Sequence, residues 1–137
     1  MPFSPENLLT QLDRRDIIDW ALELKNGKEA YAFLMQTVGT PKLNVGQTRN
    51  GLHALFRIYR HGSAADVLQK FVDLAANADQ EVRSEAVQLA IGMVRFCNHA
   101  GNAPLSLSKT QERVLRDATA RGLTKKVAEL AAGFFST

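Results

Sequence analysis

The chain has 137 residues, 45% of them hydrophobic, which suits one globular domain with a real core. A formal charge of +3 and a sequence pI of about 9.2 fall well short of the concentrated charge of a dedicated nucleic-acid binder. The single cysteine, Cys97, excludes an internal disulfide and makes a reducing compartment the simpler expectation.

The amino-terminal stretch Met1-Pro2-Phe3-Ser4-Pro5-Glu6 has no basic start followed by an apolar run, so no signal peptide is expected. No stretch approaches the roughly twenty apolar residues that span a bilayer. A soluble, cytoplasmic protein without membrane contact is the expectation. Ser4-Pro5-Glu6 supplies a cap, a first-turn proline and a first-turn acid, and opens a short helix with Leu8, Leu9 and Leu12 on one stripe. Asp13 can cap a second helix carrying Ile17, Trp20, Ala21 and Leu24, which Asn26-Gly27 ends. Trp20 reads as a core or end-cap anchor. A third helix runs from Lys28 to Val38 with Tyr31, Leu34, Met35 and Val38 at helical spacing, and Gly39-Thr40-Pro41 stops it. A fourth is predicted from Val45 to His61.

Ser63 reads as the cap of a fifth helix, with Asp66 as its reciprocal partner in a capping box. Val67, Leu68, Phe71, Val72 and Ala75 form its stripe. In the turn Ala76-Asn77-Ala78-Asp79, Asn77 can take a left-handed position and Asp79 can cap the sixth helix. That helix carries Val82, Ala86, Leu89, Ala90 and Met93, and a second apolar row at Val87, Ile91 and Val94. A helix apolar on two sides is packed on two sides. Ala100-Gly101-Asn102-Ala103-Pro104 reads as a loop. Ser108 with Gln111 forms a capping box for a seventh helix with Val114, Leu115 and Ala118, ended by Gly122. Thr124 caps an eighth with Val127, Leu130, Ala131 and Phe134. Runs of period two are absent, so strands are not expected and the fold is all-α.

From Ser63 to His99 the order of residue types resembles one helix–turn–helix unit of a HEAT repeat: Val67-Leu68 and Phe71-Val72, then Asp79, then Val82-Arg83, Ala86 and Leu89-Ala90. The resemblance implies a short right-handed α-α superhelix, a HEAT-like solenoid of about eight helices, with residues 1–137 as a single helical-repeat domain. An irregular helical bundle is the alternative. The resemblance also implies a structural role for Asp79 and Arg83, since these positions in the family tie stacked turns together. An internal match at 34 residues supports repetition: Arg49 falls on Arg83, Leu52 on Ala86, Leu55 on Leu89, Phe56 on Ala90 and Tyr59 on Met93. The earlier connection is longer than the family pattern, and Val45 stands in the place of Asp79.

At the same offset His53, Arg57 and Arg60 stand where the later helix has Val87, Ile91 and Val94. With Arg49, their spacing puts all four on one side of the fourth helix. Residues 38–65 carry four basic groups and no acid; residues 1–37 carry four and six, 66–100 three and five, and 101–137 six and three. A merely solvated face more often mixes signs. In HEAT-like arrays the second helix of each pair lines the concave face. The resemblance therefore places Arg49, His53, Arg57 and Arg60 there as candidate partner-binding residues, against the alternative of a plain solvated face.

Catalytic chemistry is not readable. His53, His61 and His99 lack cysteine or carboxylate partners at metal-ligand spacing, and no Gly-rich turn follows a strand. No enzyme activity, metal or cofactor is expected. The leading expectation is a protein-interaction module whose basic concave face receives an acidic segment of a partner protein. The second is a weak, sequence-indifferent nucleic-acid backbone binder using Arg49, Arg57, Arg60, Lys109, Arg113, Arg116, Lys125 and Lys126. Phe134 and Phe135 are candidates for self-association into a homodimer through an end helix.

Overall fold

The computed structural model describes residues 27–99 and 105–136. The two predicted helices before Gly27, with Asp13 and Trp20, and the loop at 100–104 lie outside the described residues. Six α-helices and one 3₁₀ turn follow in order: α1 (Gly27–Thr37), α2 (Val45–Ile58), the 3₁₀ turn (Tyr59–His61), α3 (Ala64–Leu74), α4 (Gln80–His99), α5 (Lys109–Arg121) and α6 (Lys125–Phe135). Among the described residues there is no strand, and the fold is all-α. Two compact units divide the chain, Met1–Val67 and Leu68–Thr137. The division falls inside α3.

In the first unit α1 buries Ala30 and Leu34, and Val38 just after its end continues the i, i+4, i+8 row of its stripe. Gly39 ends the segment with φ of 94°, a conformation that glycine adopts without a Cβ clash. Asn44 then caps α2. Its Oδ1 accepts the Gln47 N–H at 2.8 Å, and Gln47 Oε1 accepts the Asn44 N–H at 3.1 Å, a complete capping box. α1 packs on α2 and on the 3₁₀ turn.

Tyr31 ties α1 to the start of α3. Its hydroxyl accepts the Ser63 N–H at 3.1 Å and donates toward the Ser63 carbonyl at 3.4 Å. Ser63 Oγ accepts the Asp66 N–H at 3.2 Å, as a cap should. The reciprocal half expected from Asp66 is not made with the Ser63 N–H, which goes to Tyr31 instead. The Tyr31 ring lies so close over Gly62 that a Cβ there would overlap it, and the His61 ring covers Gly27 in the same way. Tyr31→Phe removes the hydroxyl and leaves the half-buried Ser63 N–H without that partner. A loss of about 1 kcal/mol is expected, read as a lower urea midpoint.

The second unit is built on α4. α3 contributes Leu68, Phe71, Val72 and Leu74, with Ala75 just after it, and Phe71 is among the largest side chains with no exposure. The turn to α4 is held by side chains. Asn77 Oδ1 accepts the Asp79 N–H at 2.8 Å, and Asp79 Oδ1 accepts the N–H groups of Glu81 and Val82 at 2.9 and 3.0 Å. Asp79 is therefore the cap of α4. Asn77 is not left-handed; no residue other than glycine has positive φ among those described. Its amide oxygen makes the turn locally, which spares the left-handed backbone. Both apolar rows of α4 are buried, Val82, Ala86, Leu89, Ala90 and Met93 in one and Val87, Ile91 and Val94 in the other. α6 packs along α4 with Val127 and Ala131 buried, and α5 packs more lightly with Leu115 and Ala118 buried.

Ser108 and Gln111 form the expected capping box on α5, at 3.1 and 2.9 Å. Gly122 ends α5 with φ of 113°. Thr124 stands at the cap position of α6, but its side chain makes no cap bond. Its own N–H is instead taken by Ser84 Oγ at 2.9 Å, so α4 fixes the start of α6.

Candidate interaction face

The four candidate partner-binding residues fall on α2 and the turn after it. Arg49 and His53 are half-buried and already engaged by other groups of the chain. Arg57 and Arg60 are exposed. The spacing that gathers the set on one face holds for Arg49, His53 and Arg57. Arg60 lies beyond Ile58, where the α-helix gives way to the 3₁₀ turn, and its guanidinium stands 5.8 Å from the Tyr59 ring centroid. The solvent-facing part of the candidate site is thus Arg57 and Arg60. Lys42 and His61, from the same unit, are also exposed.

Caps and burial revise the internal alignment. Asn44 and Asp79, the caps of α2 and α4, are 35 residues apart, and so are the first helical residues Val45 and Gln80. At that spacing the buried residues of α2 and its turn, Thr48, Gly51, Leu52, Ala54, Leu55, Ile58 and Tyr59, fall on Arg83, Ala86, Val87, Leu89, Ala90, Met93 and Val94, all buried. The expected offset of 34 residues sets exposed or half-buried positions against buried ones. It arises because a wide stripe of leucine and alanine matches itself after a slip of one residue, about 100° around the helix. At the observed register His53, Arg57 and Arg60 fall on Gln88, Gly92 and Arg95, not on Val87, Ile91 and Val94. The basic row has therefore not replaced an apolar one. What sets α2 apart is the absence of carboxylates, where α4 carries Glu81 and Glu85.

Asp79 and Arg83 meet different groups. Asp79 caps α4. Arg83 is 6% exposed and donates four hydrogen bonds: Nε and Nη2 to the Gly122 carbonyl at 3.0 and 2.7 Å, and Nη1 to the carbonyls of Asn77 and Ala78 at 3.0 and 3.1 Å. It joins the α3–α4 turn to the end of α5. Arg121 adds a bond to the Ala76 carbonyl at 2.9 Å. These cations satisfy carbonyls that a helix end leaves without partners. No buried side-chain nitrogen or oxygen lacks a partner among the described residues.

Phe134 and Phe135 are half-buried at the end of α6, edge to face with centroids 5.2 Å apart. The Arg95 guanidinium lies 5.3 Å from the Phe134 centroid, and that of Arg116 lies 4.5 Å from the Phe135 centroid. Arg116 also pairs with Glu112 at 2.9 Å. Cys97 is buried. Partial burial lowers the pKa of Lys70, and Asp73 opposes the shift. Among the described residues, no three His, Cys, Asp or Glu side chains group to hold a metal, and no helix is long and apolar enough to cross a membrane.

Comparison with protein-family models, curated proteins and solved structures gives no match to this chain.

Proposed function

We propose that the chain is a non-catalytic protein-interaction module of HEAT-like construction, which holds an acidic segment of a partner protein on the basic face of α2. The observation that carries this reading is the run from residue 38 to 65, which has four basic groups and no acid and presents Arg57 and Arg60 to solvent. Guanidinium groups bind carboxylates through paired, charge-assisted hydrogen bonds. Arg49 and His53 shape the face from half-buried positions. In the HEAT-like arrangement this face is concave, and the setting is cytoplasmic.

Nucleic acid is the second reading. Lys109, Arg113, Lys125 and Lys126 are exposed in the second unit and favour it. Against it, Arg116 is paired with Glu112 and Arg121 is bonded to a carbonyl, which reduces the cations available to phosphates.

The test is capture from nuclease-treated and untreated lysate of the host cells, with wild type beside Arg57→Glu/Arg60→Glu. The expected result is a discrete protein retained after nuclease treatment and lost with the double variant. Both changes are on exposed positions, so the variant keeps the wild-type unfolding free energy within about 0.5 kcal/mol. Identical capture by both proteins would remove the α2 face as the site.

A further inference from the structure

We infer that the cleft beside Phe134 and Phe135 is a second docking site, for a peptide that carries an apolar side chain between carboxylates. This site lies wholly in the second unit, on residues other than those of α2, and does not rest on the proposed role of that helix.

The cleft has a volume of about 340 Å³, enough for one or two large apolar side chains. Val94 of α4, Leu107 before α5, and Phe134 and Phe135 of α6 give it an apolar floor; Ser106, Glu112 and Arg116 complete the lining. The two rings are held edge to face, so they present a fixed aromatic corner and lose little freedom when a partner binds. Rigid aromatic residues in a pocket are the usual anchors of an interface.

The charge at the rim selects the ligand. Arg95 and Arg116 each cover one ring, at 5.3 and 4.5 Å, and both are exposed. Stacking fixes the plane of a guanidinium and leaves its N–H edge to bond outward. Glu112 takes the Nε and Nη2 groups of Arg116 with a single oxygen, at 3.2 and 2.9 Å. Arg95 has no carboxylate partner among the described residues. Two guanidinium groups therefore meet one carboxylate, and the rim has an excess of positive charge beside an apolar floor. The complement is an apolar side chain flanked by acids. A second copy of the chain fits less well, because the same rim would meet its own positive charge across a two-fold interface.

The experiment uses the full chain, ¹⁵N-labelled, titrated with the capped hexapeptide Asp-Glu-Leu-Phe-Asp-Glu and with its charge-free counterpart Asn-Gln-Leu-Phe-Asn-Gln. The expected result is amide shifts at Val94, Leu107, Arg116, Phe134 and Phe135 with the acidic peptide. Binding should weaken at least tenfold with the charge-free peptide and with Arg95→Gln/Arg116→Gln, whose exposed positions leave folding intact. Phe134→Leu, which keeps an apolar side chain but removes the ring, should weaken binding several-fold. Absence of these shifts would overturn the inference. So would equal binding of both peptides, binding unchanged in the arginine double variant, or shifts confined to Arg57 and Arg60. Concentration-dependent shifts at the cleft without any peptide would also overturn it, in favour of self-association through Phe134 and Phe135.

Discussion

Replacing Arg83 by alanine is expected to destabilise the protein by about 3 kcal/mol, within a range of roughly 2–4. The side chain is 6% exposed and donates four bonds to three carbonyl oxygens. A charged donor contributes about 1.5–3 kcal/mol per hydrogen bond in favourable cases, but bonds that share one guanidinium are not additive. Truncation also leaves the Asn77, Ala78 and Gly122 carbonyls to find water or remain unpaired. Arg83→Lys should recover less than half of the loss, because an ammonium cannot span two turns with a planar fork. Urea unfolding of wild type, Arg83→Lys and Arg83→Ala gives the order directly. A loss below about 1 kcal/mol for alanine would show that the two turns hold together without this residue.

The second large effect separates two neighbouring residues. Val87→Arg should cost about 4 kcal/mol or more and abolish cooperative folding, since Val87 has no exposure and an arginine there would be buried without a partner. Gln88→Arg, one residue on, is half-buried at the register of His53 and should change stability by no more than about 0.5 kcal/mol. The pair tests where the second apolar row of α4 ends: Val87 lies inside it, buried like Leu52 at the 35-residue spacing, and Gln88 lies at its edge. Thermal unfolding followed by circular dichroism suffices to tell the two variants apart.

That contrast also shows where the sequence is legible. Most helix bounds after Gly27 are readable to within about a residue, because Gly39, Ser108, Gln111 and Gly122 punctuate strong apolar stripes; the exception is α2, predicted to run to His61 but ending at Ile58, where the 3₁₀ turn begins. The role of Asp79 as a cap follows from its place before Glu81 and Val82. The Asn44–Gln47 box carries the same kind of signal, an amide followed three residues later by another, and anchoring the internal alignment on it sets the buried residues of α2 against buried residues of α4. Matching hydrophobic letters does not, since a stripe wider than 100° hides a slip of one residue. Long-range bonds leave no local trace: Tyr31 with Ser63, Ser84 with Thr124, and Arg83 with Gly122 join residues 32 to 40 positions apart.

The candidate site is only partly legible for a related reason. Helical spacing places Arg49, His53 and Arg57 on one face, but it does not say which of them solvent reaches. Half-burial of Arg49 and His53 is a tertiary effect, and so is the change to a 3₁₀ turn at Tyr59 that governs Arg60. The cleft at Phe134 and Phe135 is read in the sequence only as two apolar residues at the end of a helix. The arginines that cover them come from α4 and α5 and are visible only once the helices are packed.

The basic face of α2 is tested most directly by fluorescence anisotropy with two probes of equal length, a labelled twelve-residue oligoglutamate and a labelled twelve-nucleotide single strand, at 150 mM salt. Wild type should bind the oligoglutamate more tightly than the strand, and Arg57→Glu/Arg60→Glu should weaken that binding at least tenfold, about 1.4 kcal/mol. Preference for the nucleic acid with a steep salt dependence, or oligoglutamate binding untouched by the double variant, would contradict the role proposed for α2.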